Sequence, residues 1–258
     1  MSKDNKENEL KRLETLLVRN MAQINAKILV LSNKGGVGKS FVAVNIAVCL
    51  SRKGANVGLL DADMHGPSIA KMLGFEGKIL SAGQNGISPY PVNPNLGAIS
   101  MASFLESVDT AVIWRGPLKM NVLRQFLAEA DWGKRDYLIV DSPPGTGDEP
   151  LSICQMISDL TGAIIVTTPQ DVALLDSRKC VSFLRQLSTP ILGILENMSG
   201  LICPHCGTKI DIFKSGGGEK AAKELNVPFL GRIPFDPHIA DVCHETGVFG
   251  HFLGSYPL

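Results

Sequence analysis

The chain has 258 residues, 45% of them hydrophobic and 19% charged, and its 25 basic and 25 acidic side chains cancel to a formal net charge of zero. This is ordinary globular composition, long enough for one large α/β domain or two small ones with a buried core. The charge balance argues against a nucleic-acid or polyanion binder that works through global charge. The longest apolar runs are strand-length, which argues against a membrane-spanning helix. The N-terminal "MSKDNKENELKR" is charged and lacks the apolar core of a signal peptide, so a soluble cytoplasmic protein with reduced thiols is expected.

In chain order, residues 4–20 place Leu10, Leu13, Leu16 and Leu17 at helical spacing and predict an amphipathic N-terminal helix. It packs on the domain or docks a partner. Residues 1–24 are read as this extension and 25–258 as the main domain. "KILVLS" (27–32) is a short apolar run, followed by a Gly-rich loop and the helical "SFVAVNIAVCLSRKG". Further strands are expected at 56–63, 136–145, 162–168, 191–197 and 227–234, with helices at 117–130 and 171–188 among the stretches between them. Strands this apolar on both faces belong in a mostly parallel sheet covered by helices. The stretch 76–113, rich in Gly, Pro and Asn, reads as a hairpin or loop excursion. One doubly wound α/β domain is the expectation.

The loop between the first strand and its helix is "KGGVGKS", Lys34 to Ser40. Asn33 stands where the strict P-loop pattern has its first glycine, but Gly35, Gly36, Gly38, Lys39 and Ser40 remain in a strand–loop–helix context. Glycines let backbone N–H groups converge on phosphate oxygens, and the helix N-terminus favours an anion. The loop from Gly35 through Val37 to Phe41 is therefore expected to bind nucleotide. Lys39 would reach the β- and γ-phosphates and Ser40 would ligate Mg²⁺.

Asp61 and Asp63 end one strand in "NVGLLDADMHGPS", and Asp141 ends another in "YLIVDSPPGTGD". Acids at the carboxyl edge of such a sheet lie where ligands bind. Asp141 has the setting of a Walker B aspartate that holds Mg²⁺. Each acid alone could equally be a helix cap or turn residue; three beside a P-loop point to Mg²⁺ and water. Asn197 follows another strand end, where an amide can pair with an adenine edge or form a turn.

"SGLICPHCGTKID" carries Cys203 and Cys206 two residues apart, followed by Gly207. The pattern suits a metal knuckle, a redox dithiol, a reactive thiol or plain structural cysteines. The flanking sequence does not open a helix as a redox dithiol prefers, which favours metal. A tetrahedral site needs four ligands, and the second C-x-x-C pair is expected from a symmetric partner. Four thiolates suit a [4Fe–4S] cluster or Zn²⁺. His205 is an alternative ligand. Cys49, Cys154 and Cys180 read as core packing, and Cys243 has no assigned role.

The segments "NKGGVGKS", "LLDADMHGPSI", "VIWRGPLK", "YLIVDSPPGTGDE", "TTPQDVAL", "ENMSGLICPHCG" and "FKSGGGEKAA" together resemble the Mrp/ApbC family of iron–sulfur carrier ATPases over about residues 25–250. That family lies within the deviant-Walker-A class that includes the nitrogenase iron protein and the MinD and ParA ATPases. Phe41 departs from the threonine common there, as Asn33 departs from glycine. The resemblance implies an ATP-hydrolysing homodimer that bridges a [4Fe–4S] cluster and delivers it to apo-proteins. It also implies that Lys34 reaches the partner's nucleotide, that Asp63 orients the attacking water, that Asn197 contacts adenine and that 141–149 is a switch. No separate N-terminal accessory domain is expected. A positioning ATPase of the MinD/ParA kind and a zinc-stapled dimeric ATPase are the alternatives. The C-terminal "GHFLGSYPL" lacks the basic amphipathic helix that a membrane version would need.

Overall fold

The computed structural model describes residues 3–64, 66–80, 82–83, 86–104, 116–170, 173–203, 205–210 and 215–235. The elements run α1 (Lys3–Met21), β1 (Ile24–Leu31), α2 (Lys39–Arg52), β2 (Val57–Asp61), α3 (Ile69–Met72), β3 (Ala82–Gly83), β4 (Gly86–Ile87), β5 (Tyr90–Asn93) and β6 (Leu96–Ser100). They continue through α4 (Gly116–Glu129), β7 (Arg135–Asp141), α5 (Asp148–Met156), β8 (Gly162–Thr167), α6 (Ala173–Gln186), β9 (Ile191–Glu196), β10 (Leu201–Ile202), β11 (Lys209–Ile210), α7 (Gly217–Leu225) and β12 (Phe229–Arg232).

Eight strands form one sheet in the order β12-β9-β8-β1-β7-β2-β6-β5. Every neighbouring pair is parallel except β5 with β6. Side chains alternate across the pleat. Leu29 and Leu31 enter one core while Val30 enters the other, and Leu138 and Val140 oppose Ile139 in the same way. Both faces are thus buried, which is why these strands read as continuous apolar runs. Each such Leu or Ile side chain taken fully from water stabilises the fold by roughly 1.5–3 kcal/mol.

The first core is closed by helices that include α1, α4, α5 and α6, the second by α2 and α3. Leu17 is buried, Leu13 and Leu16 pack partly, and Leu10 is exposed. Asn20 donates to the carbonyls of Ala128 (2.6 Å) and Ala130 (3.2 Å), which fastens α1 to the end of α4.

One expectation is refined and one corrected. The stretch read as a hairpin or loop excursion holds the small β3–β4 hairpin and a second antiparallel pair, β5–β6, which extends the main sheet. Every residue of β6 is buried, paired in parallel with β2. Its Gly and Ala lower the apolar signal, but a neighbour on each side supplies the ladder. Cys49 is exposed, unlike the buried Cys154 and Cys180. It shares a row with Asn45 and the exposed Lys53, one hundred degrees round from the buried Val48.

Candidate nucleotide site and cysteine hairpin

Because the strands are parallel, the polar residues at their carboxyl ends collect along one edge. β1 delivers the P-loop there. Gly36 and Gly38 take left-handed conformations (φ 77° and 81°), and Gly38 caps the start of α2. Gly38 is doubly constrained, since a Cβ on it would lie 2.1 Å from Asn197 Nδ2. Ser32 Oγ donates to Lys34 O at 2.8 Å across the bend.

Lys39 Nζ sits 2.6 Å from Asp141 Oδ1, with both side chains buried. Asp141 Oδ2 is buried with no hydrogen-bond partner. Burial raises the Asp141 carboxyl above its ordinary value, against the opposing pull of Lys39 and the Ser40 hydroxyl. Asp61 lies opposite Asp141 in the β2–β7 register. Burial, and then the charge of Asp141, push Asp61 up to about 7, although it accepts bonds from Ser100 Oγ (2.9 Å) and Ile69 N (3.2 Å). With Asp63 N also donating to it at 3.2 Å, Asp61 anchors the loop that follows β2. Asp63 accepts from Gly66 N and lines a cavity of about 250 Å³ with Lys34, Gly35, Lys39, Ser40, Phe41 and Pro144 among its other walls. Gly145 N donates to Ser32 O at 2.7 Å, so the 141–149 segment is tied to the base of the P-loop.

Lys34 Nζ lies 2.8 Å from Asp176 Oδ2, and Asn33 Nδ2 donates to Asp176 Oδ1 at 2.8 Å. These residues border a second cavity of about 310 Å³ on the other side of the loop, with Val37, Thr168, Gln170 and Met198. Asn197 is buried and donates from Nδ2 to Val37 O at 2.9 Å. Met198 follows with φ 57°, a left-handed conformation that costs a non-glycine residue about 1–3 kcal/mol.

Glu196, fully buried at the end of β9, gathers the next elements. It accepts from Gly216 N (3.1 Å), Gly218 N (2.6 Å) and Ser199 Oγ. Gly218 must be glycine to come this close, for a Cβ there would lie 2.9 Å from Glu196 Cβ. From Ser199 the chain enters the antiparallel pair β10–β11, whose turn carries the two cysteines. Cys203 N donates to Thr208 O and Gly207 N to Cys203 O, with Gly207 at φ 69°. Cys203 is half-buried, and Cys206 and His205 are exposed. The Thr208 hydroxyl, 3.3 Å from Cys206 Sγ, is the first cause that holds the Cys206 thiol below its ordinary value; the neighbouring Cys203 thiol acts in the same direction.

The edge therefore brings together Lys34 to Phe41, Asp63, Asp141 and Asn197, and the hairpin with Cys203 and Cys206 begins a few residues beyond Asn197. Cys243 and the C-terminal segment lie outside the described residues. Among the described residues no group of three or more His, Cys, Asp or Glu is placed to hold a metal. Asp176 and Glu196 carry no functional assignment in the sequence reading. Glu196 was detectable as an acid closing an apolar strand; Asp176, inside an amphipathic helix, had no such signal.

A phosphate loop opening a helix at the carboxyl edge of a parallel sheet, with a buried aspartate facing its lysine, defines a P-loop NTPase. The family model described as "ParA: NUBPL iron-transfer P-loop NTPase" matches residues 23–251, and the chain belongs to that family. It is 54% identical over 217 residues to an iron-sulfur cluster carrier protein of Methanocaldococcus jannaschii, covering 84% of this chain and 75% of that one. It is 46% identical over 241 residues to the cytosolic Fe-S cluster assembly factor NUBP2 homolog of Dictyostelium discoideum, covering 92% and 90%. Among solved structures, a nucleotide-binding protein in complex with ADP from Archaeoglobus fulgidus superposes with a TM-score of 0.82 at 32% identity, over 95% of this chain and 97% of that one. The cell division ATPase MinD of Pyrococcus furiosus, at 24% identity and a TM-score of 0.57 over 84% and 86%, shares the fold.

Proposed function

We propose that the protein is a cytoplasmic, ATP-hydrolysing iron–sulfur cluster carrier that works as a homodimer and hands its cluster to apo-proteins. One observation carries the reading: the C-x-x-C turn lies on a small hairpin that follows, within the same segment, the strand end whose Asn197 touches the P-loop. The family membership and the names of the relatives support the cargo.

Each chain contributes Cys203 and Cys206, and a twofold axis brings the two pairs to one cluster. The P-loop amides hold the phosphates, Lys39 neutralises the β- and γ-oxygens, and Asn197 borders the base. The buried Asp141, whose Oδ2 has no hydrogen-bond partner, fits a Mg²⁺ ligand. Ser40 and Asp141 would hold Mg²⁺, which would supply charge neutralisation at the phosphates. Asp63 orients a water toward the γ-phosphorus; the new P–O bond forms as the bond to the β–γ bridging oxygen breaks, leaving ADP and phosphate. The partner's Lys34 adds positive charge as an arginine finger does. ATP favours the closed dimer, and hydrolysis respaces the cysteine pairs through 141–149 and the Asn197–Cys203 segment.

Anaerobic reconstitution tests this, with iron, acid-labile sulfide and zinc measured per chain. About four iron and four sulfide per two chains, lost in Cys203→Ala, is the expected result. Zinc alone at about one per two chains, refusing exchange for iron, would make the pair a structural staple.

A further inference from the structure

Asn33 and Lys34, adjacent at the start of the P-loop, converge on one carboxylate. Asp176 in the first turn of α6 uses both oxygens, Oδ1 for Asn33 Nδ2 and Oδ2 for Lys34 Nζ, each at 2.8 Å. Its side chain is 14% exposed and that of Lys34 is 49% exposed. A carboxylate in the first turn of a helix is favoured by the helix dipole, which holds Asp176 where the loop meets it. Asn33 thereby acquires a purpose: an amide where the strict pattern has glycine supplies the second bond of this contact.

We infer that Asp176 is a positioning residue that clamps Lys34 to its own chain, and that the clamp opens before Lys34 can reach a second protomer's nucleotide. The inference rests on the trans role proposed for Lys34. A lysine carries one ammonium, and one held at 2.8 Å on its own helix is not available across an interface. A terminal phosphate, more highly charged than a carboxylate, gives Lys34 a better partner in the ATP-bound dimer. That differential affinity is what shifts the equilibrium. An ion pair of this exposure is worth about a factor of two to five. A symmetric dimer opens two clamps, so the dimerisation constant changes by the square, about four- to 25-fold.

Asp176→Asn keeps the shape and can still accept from Asn33, but loses the charge that holds Lys34. The full chain, with magnesium and a non-hydrolysable ATP analogue, is examined by sedimentation alongside Asp176→Asn and Asn33→Gly. Acetylation of Lys34 in the nucleotide-free monomer is followed in parallel by mass spectrometry. The expected result is tighter dimerisation in Asp176→Asn by about four- to 25-fold and faster Lys34 acetylation by about two- to fivefold, with smaller changes of the same sign in Asn33→Gly. Unchanged or weaker dimerisation together with unchanged acetylation overturns the clamp. Should Asp176→Asn fail to fold, Asn33→Gly carries the test by the same two readouts, and no change in either overturns it. A wild-type chain that never dimerises with the analogue overturns the trans role of Lys34 and the inference with it. Wild-type dimerisation that is indifferent to both substitutions overturns the inference alone.

Discussion

Asn197 Nδ2 donates to Val37 O at 2.9 Å, and Asn197 stands six positions before Cys203. The amide thus joins the P-loop to the segment that ends in the cysteine hairpin, with left-handed Met198 between them. A hydrogen bond of this kind contributes on the order of 1 kcal/mol net, about a fivefold effect on an equilibrium. Binding an ATP analogue is expected to change the alkylation rate of Cys203 and Cys206 by up to about that factor. Asn197→Ala should reduce the response to less than about twofold while the thiols remain reactive. Equal nucleotide responses in the two proteins would show that the coupling runs elsewhere.

Lys39→Ala is expected to abolish turnover, and its effect on stability is pH-dependent. The buried Asp141 loses the partner 2.6 Å away. Breaking a buried pair from one side costs roughly 3–5 kcal/mol. Without Lys39 the Asp141 carboxyl rises further, so the native state binds more protons than the unfolded chain. Stability then falls as pH rises. Denaturant titrations of the nucleotide-free variant should show a loss that grows as pH rises above the ordinary carboxylate range. A loss independent of pH would contradict a charged Asp141.

Asp61 gives a second pH signature. Its carboxyl rises from 3.8 to about 7 in the fold, chiefly by burial and then by the charge of Asp141. The native state therefore holds a proton that the unfolded chain has released between these values. Stability is greatest at the acidic end and declines as pH climbs toward 7, by up to roughly 4 kcal/mol at 1.36 kcal/mol per pH unit. Asp63 N donates to Oδ1 and Ile69 N to Oδ2, so Asp61→Asn keeps an acceptor for only one of these amides, at a cost of about 1–3 kcal/mol that does not vary with pH. Its melting temperature should vary less between pH 5 and 8 than that of the wild type. Parallel curves for the two proteins would remove Asp61 from the balance.

What could be read in the sequence divides by the range of the interactions. The P-loop, the acids at the ends of β2 and β7 and the C-x-x-C turn are local patterns, and the parallel sheet follows from apolar runs at regular spacing. β6 was hidden because Gly97 and Ala98 weaken its hydrophobic signal, and only the flanking strands β2 and β5 supply its pairing. The exposure of Cys49 depends on which face of α2 meets the sheet. Asp176 and Glu196 act on residues many positions away, 143 for Asp176 with Asn33 and 22 for Glu196 with Gly218. No local spacing could announce such contacts.

Glu196 supports the last prediction. Its two oxygens serve Gly216 N, Gly218 N and Ser199 Oγ, and Arg232 Nε lies 3.4 Å from Oε1. Glu196→Gln replaces one acceptor by an NH₂ group, so at least one buried backbone N–H loses its partner, at a cost of about 1–3 kcal/mol. The turn before α7 and the Ser199 end of the cysteine hairpin loosen together, while Lys39, Ser40 and Asp141 keep their contacts. The variant should bind an ATP analogue about as tightly as wild type, because the lost bond does not touch the P-loop or the phosphates. Its reconstituted cluster should be lost several-fold faster in the presence of an iron chelator. Weakened nucleotide binding with an unchanged rate of cluster loss would place Glu196 in the service of the P-loop, not the hairpin.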